Sequence, residues 1–226
     1  TLGLVVGLFA EKIGLRRCVL VGLLLLSVAS ACGAIVSSKT ALLLFRALEG
    51  CGFLMVTMPA PGLIRRLVQP SVLARLMGVW GCYMPIGTVI ILLFGSWLLS
   101  LADWRVLWWL MAAITFLMLL AVARWIPHDP ERVAGSLAER KQNSAWNIVK
   151  TTLMSRNIWF VAFCFGAYSG QWVAIIGFLP SIYVAAGISG TTAGIMTAIV
   201  AGSNAIGNLA AGRLLQRGVR PPVLLC

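Results

Sequence analysis

Acidic residues are scarce in this chain, with six Asp and Glu among 226 residues against 18 Lys and Arg. Charged residues of both signs make up only 11%, hydrophobic residues make up 60%, and the mean hydropathy is +0.96. So few polar side chains exclude a water-soluble globule, because they could not cover its surface. There is a single histidine, His128, beside Asp129 and Pro130 with no ligand cluster around it, so no metal centre is expected. The six cysteines (Cys18, Cys32, Cys51, Cys82, Cys164, Cys226) show no C-x-x-C spacing and fall in apolar segments, where they read as small buried hydrophobes. A phosphate loop of the form G-x-x-x-x-G-K-[ST] is missing, which excludes a visible ATP-driven motor. No cofactor is therefore expected, and enzymatic activity has nothing to rest on. Strand-length alternation of polar and apolar residues is missing too, which excludes a membrane β-barrel.

What is present is a series of long apolar runs. A hydrocarbon core about 30 Å thick needs some 20 helical residues, and six runs meet that length: Cys18–Val36, Ala41–Ile64, Met77–Ala102, Val106–Ile126, Ile158–Val184 and Thr191–Leu209. Thr1–Ala10 would reach about 15 Å as a helix, half a crossing, and Val223–Cys226 resembles the opening of another span. The net charge of +12 does not point to nucleic acid, because the cations sit at the ends of apolar runs rather than on one solvated face. Alternate loops collect Lys12, Arg16, Arg17; Arg65, Arg66, Arg75; six cations over residues 124–156; and Arg213, Arg217, Arg220. The opposite loops hold Lys39 and Arg105. The positive-inside bias places the basic loops in the cytoplasm of a multi-pass inner-membrane protein. Asp103-Trp104-Arg105 and Trp108-Trp109 then fall at the outer interface, where an aromatic belt is expected. Pro127–Asn143 reads as a linker, followed by Ser144 as an N-cap and an amphipathic surface helix over Ala145–Arg156.

Between the first two apolar stretches lies Gly7-Leu-Phe-Ala-Glu11-Lys12-Ile-Gly14-Leu-Arg16-Arg17, and Gly212-Arg213-Leu-Leu-Gln-Arg217-Gly218-Val-Arg220 echoes it one residue shorter. The first loop resembles motif A of the major facilitator superfamily (MFS) of secondary transporters. The resemblance implies an all-α membrane protein, an MFS-type bundle of two pseudo-symmetric halves, incomplete here, running from the end of helix 2 to the start of helix 9. It divides the chain into an N-terminal half over 1–126, a cytoplasmic linker over 127–156 and the start of a C-terminal half over 157–226. It also gives Glu11 a latching role at the cytoplasmic gate, although the family usually has Asp there. Gly7 and Gly14 are expected to admit close approach and tight-turn angles, and Lys12, Arg16 and Arg17 to reach lipid headgroups. A purely topogenic loop is the alternative.

Inside the second span stands Arg46-Ala-Leu-Glu49-Gly-Cys-Gly52. Spacing of three puts Arg46 and Glu49 on one helix face, and Glu49 lies about 14 Å along the helix, near mid-membrane. Charges at that depth mark a substrate or ion path by default. The stretch resembles motif B of proton-coupled members, with Glu49 in place of Gln. Glu49 is read as a proton carrier and Arg46 as its tuner or an anion counter-charge; a permanent structural ion pair is the alternative. Gly78 to Gly87, around Pro85, reads as a packing hinge. In the second half, Tyr168, Gln171 and Trp172, and then Asn204 and Asn208, place hydrogen-bonding groups at mid-membrane depth. They are candidates for substrate contact, or in the case of the Asn pair for helix–helix bonds.

Pro59-Ala-Pro61-Gly-Leu-Ile-Arg65-Arg66 and the Asp103-Trp-Arg…Trp-Trp stretch are similar to bacterial cyanate-permease-like members of the superfamily. The expected function is secondary active transport of a small solute, such as a small anion, by alternating access with proton coupling. The partners are a small-molecule substrate, a proton and the bilayer, and the full-length chain is expected to be monomeric. A permease subunit of an ATP-driven system or a membrane enzyme is the alternative.

Overall fold

In a computed structural model, residues 13–129, 151 and 153–219 are described, with Gly3, Val6, Gly7 and Ala10 before them. Every regular element among the described residues is helical: α1 Leu15–Ile35, α2 Lys39–Thr57, α3 Ala60–Leu67, α4 Pro70–Gly81, α5 Tyr83–Ile90, α6 Ser96–Leu101, α7 Trp104–Trp125, α8 Arg156–Ala185 and α9 Gly190–Gln216, with a π-helical turn over Ile91–Gly95. Six stretches are long and apolar enough to cross a membrane. They coincide with the six apolar runs of the sequence, and the chain is a multi-pass membrane protein. Large side chains such as Leu43, Phe160, Val161 and Phe163 are exposed along these helices, as a chain solvated by lipid requires.

The boundaries depart from the sequence expectation at the prolines. The second span breaks at Met58-Pro59, because Pro59 cannot donate to the Met55 carbonyl and Pro61 cannot donate to that of Thr57. The Met55 carbonyl finds another donor in the Cys18 thiol at 3.5 Å. The third span begins at Pro70, not Met77. Proline suits the first turn of a helix, where its missing N–H has no partner to lose. The same span bends at Cys82, ahead of the buried Pro85, and widens into the π turn. Pro85 leaves the Gly81 carbonyl without its i+4 donor, and Asn208 Nδ2 of α9 supplies one at 3.1 Å. The last span continues past Leu209 to Gln216, so Gly212 and Arg213 are helical rather than part of a loop. Residues 151, 153 and 154 are helical and Ser155 ends that stretch, so Arg156 opens α8 instead of closing a surface helix. Pro130–Lys150, with most of the expected linker and surface helix, lie outside the described residues.

Two compact units form, Thr1–Asp129 with Ala198–Cys226 and Pro130–Thr197. In the first, α1 packs antiparallel between α2 and α7, and α4–α5 run antiparallel to the second half of α9. Gly78 and Gly212 face each other where α4 and α9 cross. A Cβ on Gly78 would lie 2.8 Å from Gly212 Cα, and one on Gly212 2.9 Å from Gly78 Cα. Such backbone approach is the usual means of helix association in lipid, where apolar burial supplies no drive. Side chains extend the seam: Gln216 Nε2 donates to Ser71 O at 3.1 Å, and the Cys82 thiol to Ala205 O at 3.3 Å.

Gly212→Leu is expected to destabilise the solubilised protein by about 1–3 kcal/mol through overpacking. Gly207→Leu on the same helix, where an added Cβ meets nothing within 4 Å, is expected to leave its melting temperature unchanged or slightly raised. Thermal unfolding in detergent compares the two.

Candidate functional site

On α2, Arg46 and Glu49 pair as their spacing demands. Arg46 Nη2 lies 2.7 Å from Glu49 Oε1 and 2.6 Å from Oε2. The Glu49 side chain is 13% exposed and that of Arg46 43%, so the carboxylate is sunk and the cation faces outward. An unpaired charge at the centre of a membrane helix costs about 2.5–3.5 kcal/mol, which the pairing offsets. The Arg46 guanidinium also lies over the Trp108 ring, with Cζ 4.5 Å from its centroid. Trp108, which the sequence assigned to the interfacial belt, thus has an arginine partner on α2. Its ring meets Trp104 edge-on at 4.4 Å, and its carbonyl accepts from Ser30 Oγ at 3.2 Å, fixing α7 against α1.

A second constellation gathers where α1 begins and α7 ends. Gly14, at φ 105°, is the N-cap of α1 and contributes no side-chain cap. Asp129 caps the helix from outside: Oδ1 accepts from the Arg16 N–H and Oδ2 from the Arg17 N–H, both at 3.2 Å. A side chain at position 14 would collide with that carboxylate, since a Cβ there would stand 2.7 Å from Asp129 Cγ. Glycine is thus required twice, by its φ and by this approach. Arg66 of α3 closes the group, with Nη1 2.7 Å from Asp129 Oδ1 and Nη2 2.9 Å from His128 O. Burial pulls the Asp129 carboxyl upward, but the Arg66 hydrogen bond, the two backbone N–H groups and the Arg66 charge outweigh it and hold the group below the usual carboxylate range. Arg16 does not reach toward headgroups. It is 6% exposed and turns inward, where Nη2 donates to Ala123 O at 2.7 Å, in the last turn of α7.

Among the other sequence candidates, Gly7 is helical rather than in a turn, and an added Cβ there meets nothing within 4 Å among the described residues. Glu11, Lys12 and Arg220 lie outside the described residues, as does Cys226. Arg17, Arg213 and Arg217 are exposed. Gly218, at φ 87°, ends α9 with bonds from its own N–H to Leu215 O and from Val219 N–H to Leu214 O, a glycine C-cap. Asn208 Nδ2 bonds Gly81 O and Asn204 Oδ1, so this pair joins helices. Tyr168, Gln171 and Trp172 stand on one stretch of α8 in the Pro130–Thr197 unit, with Tyr168 and Gln171 exposed. The cysteines are free among the described residues, but only Cys18 and Cys82 are buried; Cys32 and Cys51 are half-buried and Cys164 is exposed. Among the described residues no group of three metal-binding side chains gathers.

Sequence reasoning missed Asp129 and Trp108. Asp129 had a signal: it is one of only six acids and follows the end of a span on the side where arginines collect. The Trp108 contact had none, because only packing shows which neighbour an indole meets.

The chain belongs to the Major Facilitator Superfamily, whose family profile matches residues 1–226. Within it, the chain is similar to the cyanate transport protein CynX of Escherichia coli strain K12, 24% identical over 202 residues that cover 88% of this chain. The chain spans about half the length of that relative, 50%. No solved structure matches it.

Because the native pKa of Asp129 is depressed, its contribution to stability is complete above the ordinary carboxylate pKa of about 4 and is lost as pH falls through the native value. Asp129→Asn is expected to cost about 1–3 kcal/mol at neutral pH. The gap to the unsubstituted protein should close below about pH 4. Unfolding followed against pH in detergent checks both.

Proposed function

We propose that this chain belongs to a secondary active transporter that moves a small anion by alternating access, coupled to protons. The observation that carries the reading is the Arg46–Glu49 pair: a cation and an acid inside one span, the acid sunk and the cation 43% exposed. Protonating Glu49 releases Arg46 from its counter-ion, and an arriving anion can take that place. Proton and anion therefore favour each other's binding, and linkage makes the effect reciprocal. That reciprocity is the requirement for symport. The superfamily match and the similarity to a protein named for cyanate transport support the same reading.

In this scheme Tyr168, Gln171 and Trp172 are the substrate-contact candidates of the second half, while Asn208 bonds the Gly81 carbonyl and Asn204 and so holds helices together. The Gly7–Arg17 motif and its echo at Gly212–Arg220 are assigned to the cytoplasmic side of the inner membrane, with Glu11 latching the gate. The Asp129 clamp supports that reading of the first motif, since it fixes the start of α1 at its end.

Cyanate uptake by the full-length protein in proteoliposomes is expected to collapse with a protonophore and to proceed without ATP. In Glu49→Gln, concentrative uptake should vanish while cyanate exchange persists, insensitive to pH. Undiminished pH dependence in that variant would remove Glu49 as the proton carrier.

A further inference from the structure

The Arg46 guanidinium is held on two sides and open on a third. Glu49 takes Nη2 with both oxygens, and the guanidinium lies over the Trp108 ring, with Cζ 4.5 Å from its centroid. Among the described residues no hydrogen bond reaches Nε or Nη1, although the side chain is 43% exposed. An arginine has five N–H donors in one plane and holds flat oxyanions through that plane. The group is thus anchored on two sides with donors left over. Its anchor on α7 is Trp108, which is itself fixed. Trp104 meets it edge-on at 4.4 Å, the Arg105 guanidinium lies 5.0 Å from the Trp104 centroid, and Arg105 Nη1 donates to the last carbonyls of α1, Ala34 and Ile35, at 2.9 and 3.1 Å. Cation and ring therefore alternate from the end of α1 to the Glu49 carboxylate.

We infer that Trp108 is the positioning residue of an anion subsite at Arg46, and that this subsite takes small monoanions in preference to bulkier or doubly charged ones. The inference rests on the transport reading above and narrows its substrate class. The indole fills the space on one side of the guanidinium, 4.5 Å from Cζ, so a small anion reaches the remaining donors with less crowding than a bulky one. Charge selects in the same direction. One guanidinium beside one carboxylate balances a single negative charge once the carboxylate is protonated, and a dianion would bring an excess charge into a site of low dielectric.

The test compares Trp108→Tyr, Trp108→Phe and Trp108→Leu in the reconstituted full-length protein, with cyanate, nitrate and formate as small monoanions and phosphate as the bulkier, more highly charged competitor. The KM for the transported monoanion is expected to rise in the order Trp, Tyr, Phe, Leu, reaching about tenfold at Leu, the size of a desolvated guanidinium–indole contact. The value of kcat should change little, and inhibition by phosphate should grow along the series. If the Leu variant fails to fold, the Tyr and Phe steps carry the comparison. A KM unchanged across the series, with Glu49→Gln still abolishing concentrative uptake, would overturn the Trp108 inference and leave the transport reading intact. Failure of the unsubstituted protein to transport any of the three monoanions would overturn both.

Discussion

Lipid offers the backbone no water, so each carbonyl or N–H freed at a helix end or a proline must find a partner within the protein. In the first compact unit that constraint explains most of the polar contacts between helices. Asp129 caps the N-terminus of α1, where the helix dipole is positive, and Arg105 caps its C-terminus, where the dipole is negative. Arg16, from the first turn of α1, caps the end of α7 in return. The two antiparallel helices thus exchange caps at one end and share one at the other, and Ser27 Oγ and Ser30 Oγ bond α7 carbonyls between them. The prolines follow the same rule: the Met55 carbonyl freed by Pro59 goes to Cys18, and the Gly81 carbonyl freed by Pro85 goes to Asn208.

This rule separates polar groups that build the fold from those that remain for chemistry. Arg16, Arg66, Arg105, Asp129 and Asn208 are engaged with backbone or with each other. Arg46 is different. Its partner is a single acid on its own helix, its second neighbour is a ring, and no hydrogen bond reaches its other donors among the described residues. That charge satisfies no helix end, and in the proposed reading it is kept for transport; its contact with Trp108 also ties α2 to α7.

The six spans were legible in the sequence because 20-residue apolar runs have no other stable state. Pairing of Arg46 with Glu49 was legible because helical periodicity alone puts them together. Boundaries near Pro59, Pro70 and Pro85 were harder, since the effect of a proline depends on whether a neighbouring helix can rescue the freed carbonyl, and that is decided by packing. Arg16 illustrates the same limit. By composition it belongs to a headgroup-facing basic loop, yet its partner at Ala123 lies 107 residues away, beyond any local signal. Asp129 and Trp108 escaped notice because both act through contacts made only when α7 lies along α1.

The central claim is that a proton on Glu49 and an anion on Arg46 bind together. Calorimetric titration of the solubilised full-length protein with cyanate, nitrate and formate, in buffers of different ionisation enthalpy, measures protons taken up per anion bound. The account predicts about one proton per anion in the unsubstituted protein and none in Glu49→Gln. Anion binding without proton uptake in the unsubstituted protein, or no binding by any of the three, would contradict it.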